Sequence, residues 1–246
     1  MLRVKEDIYN GWIVEPDSIE EDLEVFESSL NRLIEQAGQA HKKLIWMDFM
    51  TTQANQIALA LKRGFIFHNC EPHRTTLIYQ VQSDAYIPVP PTHTIGVGAV
   101  VINAKQELLM VRDRIGTRHS LYKLPGGMVE EGDRLLDGVI REVYEETGIH
   151  AKFIKMVSIL NSHPYRYNKS NMYIVFALEP LDEEINIIDT EEIEEAIWMP
   201  LEKFFAHEEM STFQKDLVKQ SLSKEGLSLL DEEAYFGGKK HVEVYA

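Results

Sequence analysis

Apolar positions Leu23, Phe26, Leu30, Leu33 and Ile34 recur at the spacing of an amphipathic helix. Ser18-Ile19-Glu20-Glu21 ahead of them has the capping-box pattern, and Gly38 is placed to stop the helix. Residues 43–47 then read as a strand. Thr52 is positioned to cap a second helix, with Ile57, Ala58 and Leu61 on its inner face and Gly64 at its end. Residues 65–67 and 75–81 read as further strands. A helix packed between strands predicts a mixed layer of α and β.

The pattern breaks at residues 83–93, which hold Pro88, Pro90 and Pro91. Proline fixes φ and drives the preceding residue into an extended conformation, so the stretch predicts a stiff linker. The expected division is a first domain over 1–85, a linker over 86–93, a second domain over 94–210 and a helical, frayed extension over 211–246. In the second domain, strands are expected at 94–103 and 107–113, joined by a polar turn, with a short one at 121–124. A long helix follows over 133–147, stopped by Gly148. Further strands are expected at 153–161, 172–178 and 197–199, the last closed by Pro200. Phe213, Leu217 and Leu222 then recur at helical spacing. The fold class is α+β.

Candidate chemistry lies in residues 126–149. On the predicted helix Glu142, Glu145 and Glu146 stand at i, i+3 and i+4 and share one face. Leu136, Val139, Ile140 and Val143 form a separate apolar stripe that can face a core. An acidic stripe alone is more often a solvated helix face. Like charges at this spacing repel, and a hard divalent cation with oxygen ligands would relieve the repulsion. Gly138, beside the same face, would leave room for a ligand. Gly126 and Gly127 permit a tight turn that can aim a carbonyl at the metal.

The charge balance narrows the partners. Lys+Arg is 25 against 40 Asp+Glu, a formal net charge of −15. Such a chain lacks the cationic footprint of a nucleic-acid binder and is repelled by anionic membranes. With 44% hydrophobic and 26% charged residues it has the make-up of a globular protein. Cys70 is the one cysteine, which excludes an internal disulfide and fits a reduced, cytoplasmic setting. The first residues lack the apolar core of a signal peptide, and no apolar run nears membrane-spanning length.

Gly127, Asp133, Arg141, Glu142, Val143, Glu145, Glu146, Gly148 and Ile149 stand in the register Gly-x5-acid-x7-Arg-Glu-apolar-x-Glu-Glu-x-Gly-apolar. This resembles the Nudix box, with Asp133 in place of the box glutamate. The substitution touches a water-mediated metal contact or a helix-capping role, not the main ligands. Residues 7–14, 42–49 and 60–69 resemble the pre-Nudix region of plant-type Nudix hydrolases and of the vertebrate antisense fibroblast-growth-factor protein. That region is similar to part of an acetyltransferase (GNAT) fold. No Gly-rich acyl-CoA loop accompanies it here, so a packing or dimerisation module is expected rather than acetyl transfer. The implied architecture is a Nudix α/β/α sandwich preceded by a smaller α/β GNAT-like domain, with a homodimer through the first domain as an open option.

The resemblance implies hydrolysis of a nucleoside diphosphate linked to another moiety, with Mg2+ or Mn2+. Its implied metal ligands are Glu142, Glu145 and Glu146, with the Gly127 carbonyl as a fourth. Arg141 would orient a box glutamate. The general base stays open among Glu142, Glu191 and Glu192. Residues 162–170 resemble the NADH-pyrophosphatase signature S-Q-P-W-P-F-P-x-S in part. There Tyr165 and Tyr167 are candidates to stack on a base or nicotinamide, at even odds with aromatics that merely pack a loop. An anionic substrate on an acidic chain needs local cations, and Arg112, Arg114, Arg118 and Lys123 crowd the approach to the box. His119 and His163 are weaker substrate contacts, since a lone histidine is more often a surface residue. ADP-ribose or NADH, cleaved to AMP and a phosphorylated partner, is the expected substrate. Nucleoside triphosphates, CoA derivatives and a non-catalytic nucleotide sensor are the alternatives.

Overall fold

The structure is a computed structural model and describes residues 1–115, 122–223, 225–230 and 242–246. Arg118 and His119 lie outside the described residues. The chain divides into two compact units, Met1–Pro91 and Thr92–Ala246.

The first unit runs β1 (Val4–Glu6), β2 (Trp12–Val14), α1 (Leu23–Gln39), β3 (Leu44–Met50), α2 (Ala54–Lys62), β4 (Ile66–Cys70) and β5 (Arg74–Gln80). The strands form one sheet in the order β1-β2-β3-β5-β4, parallel only between β2 and β3. The expected capping box is not formed. Asp22 caps α1 instead, accepting from the amides of Glu24 and Val25 at 2.9 Å. Ser18 sits in a 3-10 turn, its hydroxyl donating to the Glu15 carbonyl at 2.7 Å. Gly38 does not stop the helix, which runs one residue further. In α2 Ile57 and Leu61 pack on the core as expected, but Ala58 is exposed and Gln56 and Ala60 are buried in its place. The Gln56 amide is drawn inward by the carbonyls of Glu20 and Glu21, at 3.3 and 3.2 Å.

Phe26, Leu30, Ile45, Met47, Phe49 and Leu77 fill the first core, and Phe26 meets Phe49 edge-on at 6.1 Å between ring centroids. Phe26 is fully buried, so Phe26→Ala is expected to lower stability by about 3–5 kcal/mol. Urea denaturation followed by tryptophan fluorescence checks this, and a loss under 1 kcal/mol is outside the expected range for a buried aromatic. The proline-rich segment packs on this unit. Tyr86 lies 5.0 Å from Tyr9, and His68 Nε2 donates to the Pro88 carbonyl at 2.6 Å.

The second unit contains β6 (His93–Val101), β7 (Glu107–Asp113), α3 (Leu135–Thr147), β8 (Ala151–Ser162), β9 (Ser170–Pro180), β10 (Ile193–Pro200), α4 (Leu201–Ala206) and α5 (Thr212–Leu222). β6 and β7 fall where expected but do not form a hairpin ladder. β6 pairs parallel with β9, β9 antiparallel with β8, and β7 antiparallel with β10. One bridge, Ile102 to Leu108, closes the turn between β6 and β7. The stretch expected as a strand at 121–124 contributes a single bridge, Lys123 to Val111.

Alternation along the strands builds two cores. Val97, Ala99 and Val101 of β6 and Ile174, Phe176 and Leu178 of β9 face one way, onto Val139 and Val143 of α3. Val100 and Val175 face the other way, with Phe204 of α4 and Leu217 and Val218 of α5. Both faces are thereby covered, which is why these strands read as continuous apolar runs. The result is an α/β/α sandwich. The expected frayed end is partly ordered: Leu227 bridges Met156, Leu229 bridges Tyr245, and Tyr245 packs against the α3 core.

Candidate active site

The apolar stripe of α3 settles how its acids are presented. Val139 and Val143 are buried, and Leu136 and Ile140 pack beside them, so the carboxylate face turns toward the Gly126–Gly127 turn. Gly138 does not open space for a ligand, because Val129 packs over it with Cγ2 3.7 Å from where a Cβ would stand. Glu146 is 3% exposed. Its Oε2 accepts the Gly126 amide at 2.7 Å, and its Oε1 lies 3.3 Å from Lys123 Nζ. The backbone there can only be glycine. Gly126 has φ +147°, and a Cβ on it would lie 2.2 Å from the Val97 carbonyl oxygen. At Gly127 a Cβ would lie 2.6 Å from the Glu142 carboxylate, so that carboxylate rests directly on the turn.

Arg141 gathers the remaining acids. Its Nη1 donates to Glu145 at 2.8 Å, its Nη2 lies 3.1 Å from Glu142, and its Nε is 3.6 Å from Asp133. Asp133 therefore faces Arg141 and does not cap α3. Glu145 is the most open of the three helix glutamates, its side chain 42% exposed against 15% for Glu142 and 4% for Glu146. The Gly127 carbonyl, expected as a metal ligand, accepts the Val97 amide at 2.9 Å.

Lys123 is the cation at the centre. It contacts Asp113 at 2.8 Å, Glu146 at 3.3 Å and Glu192 at 4.0 Å. Asp113, Glu146 and Glu192 each offer an oxygen, all within 4.8 Å of one another. Glu192 is carried by a loop tied down at both sides. The amides of Ile188 and Asp189 donate to the Glu145 carbonyl, and Arg114 donates to the carbonyls of Thr190 and Ile193 at 3.0 and 3.3 Å. Asp189 Oδ1 accepts the amides of Glu191 and Glu192 at 3.1 and 3.0 Å. Glu191 has no part in the three-oxygen cluster.

Electrostatics in this cluster are dominated by burial. Burial pushes the Glu146 carboxyl up to about 7, against the pull of Lys123 and the Gly126 amide. Burial also raises Glu142, with Arg141 opposing. Burial would lower Lys123, but Glu146 and Asp113 outweigh it and hold the ammonium well above its ordinary value. One ammonium thus faces three carboxylates, a site short of positive charge. All its donors are hard oxygens, the set that Mg2+ or Mn2+ takes, so the residues fit a divalent ion.

A model of the NUDIX domain matches residues 92–220, more than half of the chain, and a model described as the Nudix hydrolase domain matches residues 2–81. The chain belongs to the Nudix family. Nudix hydrolase 8 of Arabidopsis thaliana is 31% identical over 208 residues, covering 83% of this chain and 56% of that protein. Nudix hydrolase 7 of the same plant is 32% identical over 240 residues, 92% of this chain and 83% of the relative. Mouse nucleoside diphosphate-linked moiety X motif 6 is 33% identical over 185 residues, 74% of this chain and 58% of its own length. The chain therefore spans little more than half of two of these three relatives.

Other residues singled out in the sequence sit apart from the Nudix helix acids. Arg112 pairs with Glu194 at 3.2 Å and Glu195 at 2.9 Å and lies over the Tyr122 ring. Arg114 holds the Glu192 loop. Tyr165 and Tyr167 lie in the β8–β9 connection, with Arg166 over the Tyr165 ring and Tyr167 90% exposed. His163 Nδ1 is 3.3 Å from the Ser170 hydroxyl. Sequence reasoning missed Asp113 and Tyr173. Tyr173 lies against Gly96 and Gly98, where a Cβ on Gly98 would stand 1.9 Å from its hydroxyl oxygen. Burial pushes that hydroxyl up to about 12. The signal for Asp113 was an acid ending the strand 107–113 after the apolar run 108–111; the two small residues Gly96 and Gly98 marked the space for Tyr173.

No helix among the described residues is long and apolar enough to cross a membrane.

Proposed function

We propose that this chain is a metal-dependent pyrophosphohydrolase that cleaves the diphosphate bridge of a nucleoside diphosphate derivative. ADP-ribose or NADH is the favoured substrate, giving AMP and a phosphorylated partner. The observation that carries the reading is Glu146, a carboxylate nearly removed from water beside a surplus of acids. With one ammonium shared among three carboxylates the buried charge stays costly without a further cation, and an active site is where such a cost is retained. Glu142, Glu145 and Glu146 would hold Mg2+ or Mn2+. Asp113 and Glu192 would join through Glu146, the one helix acid whose oxygen lies within 4.8 Å of theirs. Glu142 and Glu145 are drawn to Arg141 and would have to turn from it. A divalent ion bound there supplies positive charge to the bridging phosphates and to the attacking water.

The chain's own groups do the rest. Arg141 holds Glu142 and Glu145 in register, and the Gly126 amide fixes one oxygen of Glu146. Glu142 and Glu192 remain the candidates to take a proton from water, Glu192 with its side chain 63% exposed. A cavity of about 690 Å³ adjoins the cluster, lined by Tyr122, Lys123, Gly126, Tyr173, Phe213 and Gln214 among others. That volume lies in the range of small-molecule sites and accommodates a nucleoside half. The NADH option rests on the partial signature at 162–170 and on the resemblance to plant-type Nudix hydrolases, and the ADP-ribose option on that resemblance alone.

The test is a panel of ADP-ribose, NADH, NAD+, CoA and nucleoside triphosphates with Mg2+ or Mn2+, read by chromatography of AMP and partner products. Turnover of ADP-ribose or NADH at least about tenfold above the others in kcat/KM, abolished by EDTA, is expected. Tight binding of one nucleotide without turnover of any would favour the sensor.

A further inference from the structure

The N-terminus of α3 lacks a cap of its own. Arg134 stands at the N-cap position and makes no side-chain bond to the first turn. The orphan amides are met from the far end of the chain. Leu135 N donates to Glu243 Oε2 at 2.6 Å, and Leu136 N donates to Glu243 Oε1 at 3.1 Å. The Glu243 side chain is 6% exposed. Tyr245 donates its hydroxyl to Glu243 Oε1 at 2.9 Å while its ring packs 5.9 Å from Phe153 and 5.7 Å from Phe176. The backbone is fixed as well. Ser228 and Ala246 exchange amide–carbonyl bonds at 2.8 and 2.9 Å, Leu230 N donates to the Val244 carbonyl, and Leu227 pairs with Met156 of β8.

We infer that Glu243 is a positioning residue for the metal-holding helix: its carboxylate caps α3 from 108 residues away and keeps the Arg141 clamp in register. The connection is contiguous. Asp133 lies two residues before Leu135 and faces Arg141, which in turn holds Glu142 and Glu145. A frayed first turn moves Asp133 and loosens that clamp. A carboxylate at a helix N-terminus also meets the positive end of the macrodipole, which a neutral acceptor does less well. The inference rests on the reading of α3 as the metal-holding helix.

The test uses the full chain and three variants, Glu243→Ala, Glu243→Gln and Tyr245→Phe. Amide exchange at Leu135 and Leu136 should become about tenfold faster in Glu243→Ala, with partial rescue in Glu243→Gln and a smaller effect in Tyr245→Phe. Half-saturating Mn2+, read by the loss of free-ion resonance, should rise about fivefold in Glu243→Ala, and kcat should fall by a similar factor. KM for ADP-ribose or NADH should stay within about twofold, since the cavity walls come from β7, the 122–126 segment, β9 and residues 209–217, none of them in α3. A merely structural role would lower the melting temperature and leave Mn2+ affinity and kcat unchanged. Should the alanine variant fail to fold, the two volume-conserving variants carry the same readouts. Unchanged exchange at Leu135 and Leu136 overturns the inference, as does faster exchange with Mn2+ affinity unchanged. A parent chain that hydrolyses no diphosphate counts against the enzyme reading alone, because exchange and Mn2+ binding still decide on Glu243.

Discussion

Glu146→Gln is expected to cut diphosphate hydrolysis by roughly 10³-fold in kcat/KM while leaving the metal-free protein more stable than its parent above pH 7. The two effects have one cause. Glu146 ionises about 7 in the folded chain because burial opposes its charge, and near the ordinary carboxylate value when unfolded. A carboxyl raised on folding contributes its full stability below the unfolded value and loses it as pH rises through the folded one. Between about pH 4.5 and 7 the parent therefore gives up on the order of 3 kcal/mol at this position. Glutamine keeps an oxygen for the Gly126 amide and has no charge to bury. The pull of Lys123 is already contained in that figure, and Lys123 keeps Asp113 and Glu192, so a gain of up to about 3 kcal/mol is expected at pH 8. At pH 4 the advantage should vanish. Thermal melts of metal-free protein at pH 4 and pH 8, paired with steady-state rates, check both halves. A glutamine variant that melts below its parent at pH 8 removes the burial argument; one that turns over normally removes Glu146 from the metal set.

The chemistry-bearing helix was legible because two periodicities coincide in it. Glu142 and Glu145 turn away from Val139 and Val143, as the pattern predicts, whereas Glu146, seven residues on from Val139, is buried beside that apolar stripe. The long strands were legible too, since both faces of β6 and β9 are buried and their residues form unbroken apolar runs. Which strands pair was not. β6 and β7 are adjacent in sequence with a polar turn between them, yet each finds its ladder partner far away, and nothing local encodes that choice. β1 and β2 are too short to carry a period. The cations misled for a related reason. Arg112 and Arg114 read as free charge near the box, but the acidic run at 191–195 lies opposite them in the fold and engages one, while loop carbonyls engage the other. Asp113 and Glu243 reach the box only through tertiary structure, from a strand end and from a segment beyond α5.

Gly127→Ala and Gly126→Ala should fail in different ways, and the difference tests how the turn and the helix acids cooperate. A Cβ at Gly127 would meet the Glu142 carboxylate at 2.6 Å. That is the far end of a flexible side chain, so it can swing away and the backbone can stay. The expected result is a protein melting within a few degrees of the parent, with kcat reduced roughly 10²-fold because Glu142 is displaced. A Cβ at Gly126 would meet the Val97 carbonyl oxygen at 2.2 Å and the Gly98 Cα at 2.6 Å, with φ held at +147°. Neither neighbour is a mobile side chain, and the conformation is one that only glycine adopts readily. Relief requires the turn to leave β6, which breaks the Gly126 amide bond to Glu146 and the two that Val97 and Ala99 donate to Gly127 and Pro125. A loss of about 3 kcal/mol or more is expected, with activity falling as the folded fraction falls. Urea denaturation and rates measured on both variants separate the outcomes. Equal destabilisation by the two substitutions would mean that Glu142 is wedged into the turn as a packing element, and a carboxylate so fixed is not free to receive a metal or a proton.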